Sequence, residues 1–274
     1  MALPDHPIAT GATAEIYTWR DGWVLKLFKQ GISRQTVAYE AEISRIVHAT
    51  GLPVPAVGEV LEINGRFGLE LERVDGISML EALIRKPWKY GVYAHQLAEL
   101  QAEMHTRRVA KLPAQSERLR QKIMDAEKLP EELRIAALNA WEGIPRDDQL
   151  CHGDFHPGNI QLAQHGPVII DWIDATRGSP LLDVTRSTLL FSGIQLPSDF
   201  PGGRQLNLII PRFYHAYRKR YFELNPLDPQ EMEKWLPLLA AARLEENIQF
   251  DEKRLLTIAQ QLVSTGNNEE GREY

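Results

Sequence analysis

The chain has 274 residues, of which 43% are hydrophobic and 25% are charged, so it is long enough to bury one large domain or two moderate ones. Its formal net charge of −6, without any dominant block of Lys and Arg, argues against a general nucleic-acid-binding protein. The single cysteine, Cys151, excludes a disulfide framework and a cysteine-based zinc site, and its apolar flank predicts a buried, unreactive thiol.

Targeting signals are not evident in the sequence. The N-terminal residues MALPDHPIATGATAE contain neither a basic start nor an apolar signal core. No apolar run approaches the length of about 18 residues that a membrane span needs. We therefore expect a cytoplasmic protein, monomeric or homodimeric, that binds neither membranes nor nucleic acid.

The first 73 residues have mostly strand-like patterns. AEIYTW and WVLKLF are separated by a turn at residues 20–22, and VGEVLEI and RFGLELERV by Asn64-Gly65, which predicts two hairpins. Between the hairpins, residues 33–49 have helical spacing, with Ser33 as the N-cap and Gly51 as the stop. We expect a small N-terminal β-lobe, residues 1–74, that carries one helix.

The remainder of the chain is predicted to be mainly helical. Amphipathic spacing predicts helices over 78–85, 91–109, 116–127 and 131–142, and further helices continue to about residue 263. They are interrupted by a hairpin made of NIQL, a turn at residues 165–167 and the run VIIDW. These elements predict a larger C-terminal lobe, residues 75–264, followed by a polar tail over 265–274.

One loop, LCHGDFHPGNIQL at residues 150–162, concentrates polar and turn-forming residues between apolar flanks. Asp154 and Asn159 lie five positions apart, and Asp171 is expected to end the partner strand of the hairpin that follows. Carboxylate and amide oxygens are suitable ligands for Mg²⁺. Asn159 and Asp171 are therefore candidate metal ligands, which leaves Asp154 for another task.

The same spacing occurs in protein kinases, whose catalytic loop H-R-D-x-x-x-x-N is followed by D-F-G. Here HGDFHPGN is followed by IIDWIDA, and Gly153 replaces the arginine. This combination resembles the aminoglycoside phosphotransferase family of small-molecule kinases. The resemblance implies a protein-kinase-like fold and the use of ATP and Mg²⁺, with Asp154 as the catalytic residue and Asn159 and Asp171 as metal ligands.

An ATP-binding lobe would need a lysine for the phosphates and a partner for that lysine. Lys26 lies within the apolar strand WVLKLF, where an ammonium group is costly unless it meets a counter-charge, although a solvent-facing strand lysine is also common. At about 100° per residue, Glu40 falls on the apolar side of the predicted helix, and Glu42 falls near its edge. Glu40 is therefore the expected partner of Lys26.

Two further nucleotide contacts follow from the resemblance. The segment TGATAE contains Gly11 and Ala12, whose small side chains would let the backbone approach the phosphates, although it matches G-x-G-x-x-G poorly and could be an ordinary turn. The run LELERVDG would be the hinge, with backbone groups near Glu72 and Val74 at the adenine edge. A strand that enters a linker would have the same sequence.

Other polar residues have both structural and functional interpretations. In GSPLLD, Asp183 favours a helix N-terminus through the helix dipole, and the resemblance implies that it anchors the catalytic loop. His152 is expected to brace the loop, whereas His156 could support the turn or contact substrate. Arg243 could reach the substrate or simply pair with Glu246 one helical turn away. Asp174 could approach the metal or the substrate, and His105 is expected to be a packed helix residue.

Two alternatives remain. His152, Asp154 and a remote histidine such as His215 could form a facial triad for non-haem iron, but that site normally lies in a small β-barrel. A catalytically inactive nucleotide-binding or scaffold member of the same fold is the other alternative. We expect an α+β, protein-kinase-like two-lobed fold and an ATP- and Mg²⁺-dependent phosphotransferase that moves the γ-phosphate to a hydroxyl of a small molecule. The sequence specifies neither that acceptor nor a preference for ATP over GTP.

Overall fold

The computed structural model describes residues 3–264, so the predicted polar tail lies outside the described residues. The chain forms two compact units: residues 3–79 together with 158–174, and residues 80–157 together with 175–264. The predicted division of lobes at residue 74 stays a prediction. In the structure, the predicted hairpin of NIQL and VIIDW belongs to the same compact unit as the N-terminal strands.

The secondary structure alternates between short strands and helices before it becomes mainly helical. The strands are β1 (Ala9–Thr10), β2 (Ala14–Thr18), β3 (Trp23–Phe28), β4 (Val57–Ile63), β5 (Arg66–Glu72), β6 (Gly76–Ser78), β7 (Gln149–Cys151), β8 (Ile160–Ala163), β9 (Gly166–Ile169) and β10 (Thr176–Gly178). The α-helices are α1 (Arg34–His48), α2 (Met79–Arg85), α3 (Tyr90–Met104), α4 (Gln115–Asp125), α5 (Glu131–Trp141), α6 (Pro180–Phe191), α7 (Gly203–Leu224), α8 (Glu231–Arg243) and α9 (Glu252–Ala259).

The first unit is built on a five-stranded antiparallel sheet with the order β1-β2-β3-β5-β4. Both predicted hairpins are present. Asn64 and Gly65 have φ values of 52° and 74°, the left-handed backbone that a two-residue turn between twisted strands requires. The turn residues in the sequence therefore set the pairing of β4 with β5.

Helix α1 covers one face of this sheet. The Ser33 hydroxyl accepts a hydrogen bond from the Thr36 amide at 3.1 Å, which caps the helix where the sequence predicted. Strand alternation sends Phe28 toward a buried cluster with Val37 and Ala41 of the helix, whereas Leu25 and Leu27 belong to a separate cluster. The helix thereby shields one face of β3 from water.

A second sheet in the same unit has the order β6-β8-β9. The predicted hairpin is present, but β9 ends at Ile169, so the expectation that Asp171 ends this strand is wrong by two residues. The physical reason is that Asp171 has a φ of 65°, which is outside the extended region that a strand requires. Strand β6 was not predicted because three residues show too little alternation.

The second unit packs helices around an apolar core. A large cluster includes Leu119, Ile123, Leu182, Leu189 and Leu238, from α4, α6 and α8. Helix α3 ends at Met104 rather than at the predicted residue 109. The chain leaves the helix there because the following residues bond to the strand region, with the Leu150 amide donating to the Arg107 carbonyl at 2.8 Å.

None of the helices within residues 3–264 is long and apolar enough to cross a bilayer.

Gly76, which has no side chain, lets β6 approach β8 closely, and this close approach can be tested. A Cβ at Gly76 would overlap the carbonyl of Leu162, so Gly76→Ala should lower the free energy of unfolding by about 1–3 kcal/mol. Gly91, in α3, has open space around it, so Gly91→Ala should be neutral or slightly stabilising. Urea unfolding of the two variants measures the difference, and equal stabilities would contradict the close approach.

Candidate active site

Lys26 lies on the face of β3 that helix α1 covers. Its ammonium group donates to Glu40 Oε1 at 2.7 Å and to Asp171 Oδ1 at 3.0 Å. The side chain of Lys26 is only 13% exposed, so the charge depends on these two carboxylates. A strand, a helix and a hairpin that are far apart in sequence therefore converge on one lysine.

Glu40 is the carboxylate that the helical period selected. It is buried in α1 and its side chain is 3% exposed, whereas Glu42 is exposed. Burial raises the pKa of Glu40, and the neighbouring Lys26 opposes that rise. Burial alone would lower the pKa of Lys26, but Glu40 and Asp171 raise it, so the ammonium stays charged at neutral pH.

Asp171 follows β9 in a left-handed backbone conformation. Aspartate adopts this conformation more readily than most residues, yet strain of this kind concentrates at functional sites. The Ile170 amide donates to the Asn159 carbonyl at 3.0 Å, which closes the hairpin and brings Asn159 and Asp171 to the same end of it. Asn159 lies in a short 3₁₀ helix (Pro157–Asn159) that precedes β8.

The fit of these two residues to a divalent cation rests on their oxygen atoms. The Asp171 side chain is 44% exposed, so its carboxylate is accessible, and Asn159 supplies an amide oxygen at the same hairpin end. Residues 3–264 contain no group of three or more His, Cys, Asp or Glu arranged to hold a metal. Two oxygen ligands fit Mg²⁺, which usually keeps several waters and binds substrate phosphates. The same result gives no support to an iron triad of His152, Asp154 and His215.

The other expected nucleotide contacts also lie in the first unit. Gly11 and Ala12 are exposed in the turn between β1 and β2, which is closed by a bond from the Gly11 amide to the Ala14 carbonyl at 2.8 Å. Glu72 is the last residue of β5, and its amide donates to the Ala56 carbonyl at 2.8 Å. The amide of Glu72 is therefore engaged within the fold, and Val74, half-buried, follows the strand.

Asp154 belongs to the second unit and lies in a loop with specific backbone demands. Gly153 has a φ of 82°, which disfavours any residue with a Cβ. His152 is fully buried, and its Nδ1 accepts a bond from the Asp154 amide at 3.3 Å, which braces the loop. These contacts fix the direction in which the Asp154 carboxylate projects.

Two basic side chains hold the Asp154 carboxylate. Arg186 Nη2 donates to Oδ1 at 3.1 Å, and His156 Nε2 lies 3.3 Å from Oδ2. Burial alone would raise the pKa of Asp154, but His156 and Arg186 hold it far below its usual range. The carboxylate is therefore ionised at any pH near neutrality and can accept a hydrogen bond from a hydroxyl group.

A second buried carboxylate, Asp183, ties this loop to the helices. Its Oδ1 accepts from the Gly153 amide at 2.8 Å, and its Oδ2 accepts from Gln101 Nε2 at 2.9 Å. His105 Nε2 lies 3.1 Å from the same Oδ2, and because a carboxylate only accepts, this nitrogen donates. His105 Nδ1 can then accept from the Tyr221 hydroxyl at 2.6 Å.

The arrangement around Asp183 agrees with its expected role as the anchor of the loop. Burial would raise the pKa of Asp183, but the donors from His105, Gly153 and Gln101 lower it. His105 is indeed a packed helix-end residue, as the sequence predicted, and it also contributes to this network.

Sequence reasoning did not identify Arg186, Gln101 or Tyr221 as part of the site. The signal for Arg186 was the set of apolar residues at both ends of α6, which indicates a buried helix in which an arginine requires a carboxylate. No such signal is present for Gln101 and Tyr221, because their hydrogen-bond partners are distant in sequence and no local pattern indicates them. Asp174, three residues after Asp171, is half-buried in the first unit.

The charge of Asp183 should be measurable as stability. Asp183→Asn removes the anion that three donors share, so the free energy of unfolding at pH 7 should fall by about 3–5 kcal/mol. The folded pKa of Asp183 is lowered, so its contribution is complete above about pH 5 and is lost as the pH falls below about 4. Urea unfolding across this pH range should show the wild type and the variant converging in acid.

Asp125→Asn provides the control for this experiment. Asp125 is exposed at the end of α4, so this variant should match the wild type at every pH. A gap between wild type and Asp183→Asn that stays constant down to pH 3 would contradict the assignment.

Comparison with known proteins identifies the family to which the chain belongs. The model of the phosphotransferase enzyme family matches residues 6–245. A search of curated proteins gave no match. The matched residues include the loop that contains Asp154, strand β3 with Lys26, and Asp183, and they cover well over half of the chain.

Solved structures give the fold independently. A thermostable mutant of the aminoglycoside phosphotransferase APH(4)-Ia has a TM-score of 0.66 at 14% identity, covering 97% of this chain and 96% of the other. A ternary complex of such a mutant with ADP and hygromycin B has a TM-score of 0.65 at 13% identity, covering 96% and 93%. A protein assigned as a fructosamine-3-kinase from Haemophilus somnus has a TM-score of 0.62 at 16% identity, covering 95% and 90%.

At these identities the structural likeness concerns the fold alone. It confirms the α+β, protein-kinase-like fold that the sequence predicted. The family match confirms the resemblance that was read from HGDFHPGN and IIDWIDA. The chain belongs to the phosphotransferase enzyme family.

Proposed function

We propose that this protein transfers the γ-phosphate of ATP to a hydroxyl group of a small molecule in a Mg²⁺-dependent reaction. The observation that carries the proposal is the contact of Lys26 with both Glu40 and Asp171, at 2.7 and 3.0 Å. A buried strand lysine held by two carboxylates is costly to maintain unless its charge is used, and phosphate binding uses it.

The residues of the first unit would bind the nucleotide. Lys26, oriented by Glu40, would pair with the α- and β-phosphates, and the backbone of Gly11 and Ala12 would approach them from the exposed turn. Groups of the hinge near Glu72 and Val74 would meet the adenine edge. Because the Glu72 amide is already bonded to Ala56, the carbonyl of Glu72 and the amide of Val74 are the groups that we assign to adenine.

Asn159 and Asp171 would hold Mg²⁺. Bound there, the cation would neutralise charge on the phosphates during transfer. The accessible carboxylate of Asp171 and the amide of Asn159 at the same hairpin end support this assignment. Asp171 would then serve both the cation and Lys26, which couples the metal site to the phosphate-binding lysine.

Asp154 would orient the acceptor hydroxyl. Its strongly lowered pKa makes it a weak base, so it is better suited to hold the hydroxyl in line than to remove its proton early. In a loose phosphoryl-transfer transition state the hydroxyl proton becomes acidic only late in the reaction. A weakly basic, well-positioned carboxylate is therefore sufficient, and the energy of catalysis comes mainly from alignment.

The comparisons support the nucleotide and the general class of acceptor. The family is one of phosphotransferases, and the ternary complex of the APH(4)-Ia mutant contains a nucleotide, ADP, together with a small molecule, hygromycin B. Neither fixes the acceptor of this chain at such low identity. Cytoplasmic location and a monomeric or homodimeric state stay predictions from the sequence.

Substitution of Asp154 tests the proposal and separates it from a catalytically inactive protein. Asp154→Asn keeps the size of the side chain but removes its charge, so turnover should fall by about 10²–10⁴-fold while ADP binding is unchanged. ATP consumption against a panel of hydroxyl compounds measures turnover, and calorimetry measures ADP binding.

Asp148→Asn is the matched control, since Asp148 is a half-exposed aspartate paired with Arg108 away from the loop turn. It should retain wild-type turnover. Wild-type protein that binds ADP but consumes no ATP with any acceptor would favour the inactive alternative.

The metal role of Asp171 is tested by nucleotide binding. Wild-type protein should bind ADP more tightly with Mg²⁺ than with a chelator, and Asp171→Ala should lose at least about tenfold of that difference. Asp148→Ala should preserve it. An unchanged Mg²⁺ effect in Asp171→Ala would remove Asp171 from the metal site.

A further inference from the structure

A chain of charged contacts leads from Asp154 into the interior of the second unit. Arg186 Nη2 contacts both Asp154 Oδ1, at 3.1 Å, and Glu246 Oε1, at 2.5 Å. Glu246 Oε2 lies 3.5 Å from Nε of Arg243, the last residue of α8. Arg243 is therefore separated from the candidate catalytic carboxylate by one arginine and one glutamate.

Arg243 has more donors than its neighbours can satisfy. The only other carboxylate within 4 Å, among the described residues, is Asp251, at 3.9 Å, and Arg254 already bonds both of its oxygens at 2.5 and 2.7 Å. Within residues 3–264, the Nε and Nη1 atoms of Arg243 are buried and have no hydrogen-bond partner. Each buried unsatisfied donor costs about 1–3 kcal/mol.

The electrostatic surroundings of Arg243 agree with this deficit. The side chain is 5% exposed, and burial together with repulsion from Arg186 lowers the pKa of Arg243 to about 10. Glu246 cannot move fully to Arg243 without leaving Arg186. An additional anion near the two guanidinium groups would satisfy the open donors and offset their repulsion.

We propose that Arg243 determines acceptor specificity by binding an anionic group of the acceptor, a carboxylate or a phosphate, while Asp154 orients the acceptor hydroxyl. This inference rests on the proposed kinase function and narrows its substrate class to hydroxy acids and phosphorylated alcohols. Glu246, whose side chain is 23% exposed, is the movable carboxylate that gives way when the anion approaches.

The same charges disfavour a polyamine at this position. An ammonium group that displaced Glu246 from between Arg186 and Arg243 would meet two like charges in a poorly solvated place. Aminoglycosides carry several ammonium groups, so this part of the second unit is better matched to an acidic metabolite. The specificity thus comes from rejecting cations as well as from attracting anions.

Two sets of alcohols that differ only in charge test the inference. The probes are glycerol, glycerate, glycerol phosphate and aminopropanediol, and then glucose, glucuronate and glucosamine. Wild-type protein should show higher kcat/KM in ATP consumption for the anionic probes than for the neutral and cationic ones. The comparison of glycerate with glycerol phosphate distinguishes a carboxylate from a phosphate.

Variants assign the preference to Arg243. Arg243→Gln should lower the ratio of kcat/KM for anionic over neutral probes by about 10- to 100-fold. Glu246→Gln should raise that ratio, since a carboxylate that competes with the anionic probe is removed. If the role of Arg243 were purely structural, Arg243→Gln would lower kcat/KM equally for all probes. Arg85→Gln, an exposed arginine of α2, should leave the ratio unchanged.

Failure of the inference and failure of the proposed function give different results. If ATP is consumed with a cationic or neutral probe preferred, or if Arg243→Gln reduces all probes equally, the inference is overturned and the kinase function stands. If no probe supports ATP consumption, the rise in Tm caused by each probe replaces turnover. An equal rise for anionic probes in wild type and Arg243→Gln then overturns the inference.

Discussion

The burial of charge beside an apolar sheet is the constraint on which the first unit depends. Lys26 can stay charged under helix α1 only because Glu40 and Asp171 reach it. Its strand, the helix and the hairpin must therefore adopt one register and one orientation. If only apolar contacts joined these elements, a small shift between them would cost little free energy. A shift that separated the buried ammonium group from its carboxylates would cost much more.

The second unit also buries a charged group that depends on specific partners, but here the buried group is an anion. Asp183 is a buried anion, and its donors come from the loop that contains Asp154 and from the end of α3. The loop is also constrained by Gly153 and His152. Asp154 is thus a carboxylate whose position is set by neighbours and whose charge is set by Arg186 and His156, so its geometry and its weak basicity have separate causes.

Much of this could be predicted from local patterns. The helical period selected Glu40 over Glu42, and the spacing of Asp154, Asn159 and Asp171 indicated the loop and the hairpin. The end of α3 was missed because it depends on hydrogen bonds to residues far along the chain, and strand β6 was missed because it is too short to show alternation and pairs with the distant β8. For Arg243 the helical spacing indicated Glu246, which lies 3.5 Å away, whereas the partners of Arg186 are distant in sequence and could not be predicted from a local pattern.

The pairing of β6 with β8 joins residues 76–78 to residues 161–163. The first unit is therefore discontinuous in the chain. Helices of the second unit are synthesised before β8 and β9, the last strands of the first unit. During synthesis from the N-terminus, the five-stranded sheet can form early, but Lys26 has only Glu40 until Asp171 has emerged. Such long-range closure raises the contact order and slows folding. Until this closure, the ammonium group of Lys26 has one carboxylate partner instead of two.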